Sequence, residues 1–92
     1  MCSDGAPAAS INASFNNVNT QAISIIAGHS NGQCRIDFGF DVSNRYIMVV
    51  ANSALPVIVT FTWDAVNNNL VYFWHHTIAG VGEDGLIMVM VY

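Results

Sequence analysis

Two adjacent histidines, His75 and His76, are the residues in this chain best suited to hold a metal or move a proton. They follow an aromatic run, Leu70-Val-Tyr-Phe-Trp74, which reads as a β-strand. Neighbours on a strand point to opposite faces, so one ion within one chain cannot take both. A metal on a three-fold axis could take one from each subunit. An ordinary polar ending to an aromatic strand is the simpler account. Glu83 and Asp84 could bind calcium, but they lack the alternating Asp and Asn ligands of a dedicated loop, and a solvated turn is expected. Asp37 and Asp41 are expected on one face of a strand near Arg35. Two pleats separate them by ~13 Å, too far for a paired acid and base. No Gly-x-Ser-x-Gly elbow, phosphate loop or dinucleotide fingerprint occurs. No catalytic residues, metal ligands or cofactor are therefore assigned, and the chain reads as a non-enzyme.

Trp63, Tyr72 and Trp74 could stack on sugar rings, with His76 beside them. In a domain of 92 residues such aromatics are more often core or interface. Both uses, glycan contact and subunit contact, are carried forward.

These residues sit in a chain with very little charge. Hydrophobic residues make up 53% and charged residues 9%, against a usual ~25% charged. Residues 46–63 and 65–82 contain no Asp, Glu, Lys or Arg. The net charge of −4, with Arg35 and Arg45 the only basic side chains apart from histidine, excludes a phosphate-neutralising stripe, so no nucleic-acid partner is expected. Residues 46–63 approach the ~20 needed for a membrane helix. Asn52, Ser53 and Pro56 interrupt them, and both halves have strand composition. No membrane span is expected.

Cys2 and Cys34 are too few and too far apart for a disulfide framework or a zinc site. Cys34 is expected as a buried thiol and Cys2 as an inert residue in a small-residue leader. A disulfide between molecules is the alternative. The first ten residues show neither an apolar nor a basic signal-peptide region. Residues 1–10 are expected to form a flexible or extended arm, with a single domain over 11–92.

The elements read as strands throughout. Ile11, Ala13 and Phe15 alternate with polar residues and suggest a first strand, and 21–27 a second. Cys34, Ile36, Phe38 and Phe40 share one face of the next, with Arg35, Asp37, Gly39 and Asp41 on the other. Further strands are expected over 46–51, 57–63, 70–76 and 86–92. About seven strands at this spacing imply an all-β, antiparallel, jelly-roll-like sandwich. In the last strand Leu86, Met88, Met90 and Tyr92 oppose Ile87, Val89 and Val91, so both faces are apolar. One face fills the sandwich. The other must meet a second surface, and subunits are expected to join there.

The run from Gly32 to Asn52 resembles the C-terminal β-sandwich domains of tailed-phage fibre proteins. Those domains have a glycine-bearing turn, a strand of the form x-Arg-Ile-x-Phe, and a short polar link into Asn-x-Tyr-x-Val-Val. Here Arg35, Ile36, Phe38, Asn44, Tyr46, Val49 and Val50 match. The strands at 57–61, 70–74 and 88–92 follow in the same order, so the resemblance covers about 21–92. It implies a homotrimer on a virion surface with H-type-lectin-like architecture. The short length points to a capsid decoration (cement) protein or a small fibre subunit, with other virion proteins as partners. A receptor-recognition module that binds host surface glycans is the alternative.

Overall fold

Strand formation follows the period-two alternation of apolar and polar or exposed residues, and the computed structural model describes residues 1–3, 11, 23–28, 30–53 and 56–92. Six strands are formed there: β1 (Ser24–Ala27), β2 (Gln33–Asp37), β3 (Ile47–Asn52), β4 (Val57–Trp63), β5 (Leu70–Thr77) and β6 (Leu86–Val91). The domain is all-β and sandwich-like. One sheet has four strands in the order β1-β2-β5-β4, the other pairs β3 with β6, and every pairing is antiparallel. The strand expected over Ile11, Ala13 and Phe15 lies outside the described residues except for Ile11.

β5 is the spine of the larger sheet. Its Phe73 stands opposite Cys34 on β2 and opposite Phe61 on β4. Val71, Phe73, Cys34 and Ile36 are buried with Phe38, Val42 and Ile47. Ile87, Val89 and Val91 of β6 pack onto this core from the second sheet. Phe61 and Phe73 lie 6.1 Å apart, ring centre to ring centre.

β2 is shorter than the alternation alone suggests. The Asp37 side chain accepts a hydrogen bond from Gly39 N at 2.9 Å and ends the strand there. Phe38 is still buried, but Phe40 is only partly so. Asp41 therefore lies beyond the strand, in a turn where it accepts hydrogen bonds from Ser43 N and Ser43 Oγ. It does not share a strand face with Asp37.

Cys34 is buried as expected, but neither cysteine is a free thiol. Cys2 and Cys34 form a disulfide within the chain. Cys2 is fully buried, as is Ser3, so the first residues of the expected arm are fixed to the domain. Cys2 exchanges two backbone hydrogen bonds with Gly85, at 2.7 and 3.1 Å, and Ser3 O accepts one from Gly28 N. The sequence separation of 32 residues hid this pairing, because the fold brings the two Cα atoms to 4.9 Å. The rest of the expected arm, 4–10, lies outside the described residues.

No helix among the described residues is long and apolar enough to cross a membrane. The uncharged run over 46–63 is divided between β3 and β4, in different sheets.

Candidate functional site

The strand register sorts the candidate aromatics onto two faces. Trp63 stands opposite Val71, a core residue, and so belongs to the inner face of the larger sheet. Its ring meets Phe61 edge-on at 5.4 Å, and its Nε1 donates to Val42 O at 3.0 Å. Tyr72 and Trp74 alternate with Val71 and Phe73 and therefore face outward. His76 shares that face and lies against Trp74, ring centres 4.1 Å apart. Tyr72, Trp74 and His76 thus form one row, and Trp63 is not part of it.

A depression of about 280 Å³ lies beside this row, bounded by Gln33, Thr60, Thr62, Tyr72 and Trp74. Arg35 lies across from Tyr72 in the register, with its Cζ 6.0 Å from the ring centre. The Tyr72 hydroxyl donates to Asp64 Oδ2 at 3.1 Å. Asp64 Oδ1 also accepts from Val66 N and Asn67 N, both at 2.8 Å. The backbone donors, with the Tyr72 hydroxyl adding to them, hold the Asp64 carboxyl below the usual carboxylate range. The 64–69 loop is therefore a well-tied corner rather than a loose connection.

His75 and His76 point to opposite faces. His75 Nδ1 donates to Glu83 O at 2.7 Å, and His76 Nδ1 to Thr77 O at 2.8 Å, since a carbonyl can only accept. Each Nε2 is buried without a hydrogen-bond partner among the described residues. Gly85 packs directly on the His75 ring, where any Cβ would collide with it. Among the described residues no three of His, Cys, Asp and Glu cluster as a metal site. Asp84 is occupied in the turn, accepting from Gly32 N at 2.8 Å.

The largest chemical anomaly lies on the other sheet. Met48 stands opposite Met90 and Val50 opposite Met88 across β3 and β6. Tyr46 and Tyr92 extend this ribbon, joined by backbone hydrogen bonds in both directions. These six residues share the outward face and are 50–81% exposed. They are six of the twelve exposed large hydrophobic residues among those described. A contiguous row of exposed apolar side chains like this marks an interaction surface.

The apolar alternation of 86–92 reveals half of this surface in the sequence. The other half, from β3, requires knowing that β3 pairs with β6 across a separation of some forty residues. No protein-family model, curated protein or solved structure matches the chain.

Proposed function

We propose that this chain is a non-enzymatic structural subunit that works by burying its β3–β6 face in an assembly. The single observation that carries this reading is the six-residue apolar face of that ribbon. A contiguous exposed apolar face of this kind marks an interaction surface. Both arginines make contacts within the fold, Arg35 with Ala27 O and Arg45 over the Phe40 ring.

The resemblance of 21–92 to tailed-phage fibre domains supplies the setting. In this reading the chain is a homotrimer on a virion, a capsid decoration protein or a small fibre subunit. Three copies would bring their β3–β6 faces to the three-fold axis and leave the larger sheets outward. Immunogold labelling of intact particles tests the setting. The expected result is regular labelling of head or tail. Protein found only in the soluble fraction would contradict it.

A second reading draws on the row of Tyr72 and Trp74 beside its depression. Aromatic side chains next to Gln33, Thr60 and Thr62 combine a stacking surface with hydrogen-bonding groups, as glycan sites require. Binding on a glycan array that is lost in Trp74→Ala would support a receptor-recognition role. A blank array would remove it.

A further inference from the structure

The two sheets are joined by loops, by packing across the core, by hydrogen bonds of Glu83 and Asp84 with His75 and Gly32, and by one covalent device. Cys34 lies in β2 of the four-stranded sheet and is bonded to Cys2. Cys2 is in turn paired through two backbone hydrogen bonds to Gly85, the residue before β6 begins. A covalent bond and one residue of β-bridge therefore connect the larger sheet to the entry of β6. Ser3 O fixes the same segment to Gly28 at the end of β1.

β6 has need of such a tie. Among the described residues its sheet has two strands, and a two-stranded ribbon is at best marginal in water. The same strand supplies Met88 and Met90 to the apolar face, and Tyr92 follows it directly.

We propose that the Cys2–Cys34 disulfide is a redox latch on β6, so that formation of the apolar assembly face follows oxidation of the chain. This rests on the assembly reading above. With the bond formed, β6 is held in register with β3 and its outward residues form a fixed surface. With the bond reduced, residues 1–3 keep only noncovalent contacts, the Cys2–Gly85 pairing loosens, and the ribbon frays. The reaction is ordinary thiol–disulfide exchange. A dithiol reductant attacks one sulfur, forms a mixed disulfide and closes on itself to a cyclic disulfide. Cys2 and Cys34 leave as two thiols, having gained two electrons and two protons. Both cysteines are shielded from solvent, at 0% and 1% exposure, so exchange waits for residues 1–3 to open. A chain kept reduced in a cytosol would hold its adhesive face unformed, and oxidation outside would complete it.

The test compares three samples of the full chain by hydrogen exchange and sedimentation. These are the oxidised protein, the protein reduced by dithiothreitol and alkylated, and the double variant Cys2→Ala/Cys34→Ala. The expected result is at least tenfold faster exchange over 86–91 in the last two, with β2 and β5 unchanged and the assembled fraction reduced. Equal protection and equal mass in all three samples would overturn the proposal. So would uniform loss of protection in every strand, which would make the bond a support of the whole domain. An oxidised chain that stays monomeric, with β6 protection still dependent on the bond, would contradict the assembly reading and support the latch on β6.

Discussion

Met48 and Met90 stand directly opposite each other across β3 and β6, and each keeps half of its surface in water. An antiparallel pair at this spacing is where side chains reinforce one another, and here the reinforced surface is apolar. Replacing Met90 with Glu would place a charge at the centre of the exposed patch that the proposed assembly would bury. Burying an unpaired carboxylate is far costlier than losing a methionine contact. We expect Met90→Glu to weaken assembly by about 100-fold, or ~2.7 kcal/mol. The thermal midpoint of the isolated subunit should change little, because the side chain lies outside the core. Sedimentation and calorimetry on the same sample separate the two effects.

Phe38 and Asp37 test the core face. Phe38 is buried among the β2 residues that face the second sheet, and Phe38→Ala should cost ~3–5 kcal/mol. Asp37→Ala loses the hydrogen bond that ends β2, worth ~1 kcal/mol. Chemical denaturation of both variants checks the order. A larger loss for Asp37→Ala would invert the face assignment.

Two glycines separate backbone strain from collision. Gly32 and Gly80 both have positive φ, 79° and 87°. A Cβ at Gly32 would collide with the backbones of His75 and Glu83, whereas at Gly80 it meets nothing within 4 Å among the described residues. Gly80→Ala should cost only the left-handed penalty of ~1–2 kcal/mol. Gly32→Ala should cost clearly more, measured by urea unfolding, because the turn must also move away from β5.

Asp64 gives the domain a definite response to acid. Its folded pKa is depressed, chiefly by the Asn67 and Val66 amides with help from Tyr72, so its contribution is complete above the unfolded value of ~3.9. That contribution is lost as pH falls through the folded value. Asp64→Asn should therefore be less stable than the wild type at neutral pH. The gap should close below the ordinary carboxylate range. Urea midpoints followed from pH 7 to pH 2 check the sign, and a gap that widened in acid would contradict it.

The strand content was legible because alternation is a local signal. β4 and β5 match the expected runs to within one residue, and the core face of β2 was readable from Cys34, Ile36 and Phe38. What failed to show was what depends on register and on distant pairing. Trp63 looks like a companion of Tyr72 and Trp74 until Trp63 is aligned with Val71, which places it on the opposite face. Asp37 and Asp41 look like strand neighbours until the Asp37 side chain ends the strand. The Cys2–Cys34 bond depends on two bridges that no local pattern encodes, Cys2 to Gly85 and the sheet that carries Cys34. The apolar face was visible on β6 alone, and doubled once β3 was placed beside it.

The account stands on the proposed burial of the β3–β6 face in an assembly, and sedimentation equilibrium of the oxidised protein at micromolar concentration tests it most directly. The predicted result is one species with three times the 9.9 kDa mass of the chain, converted to folded monomer by Met90→Glu. A well-folded wild-type monomer under those conditions would contradict it.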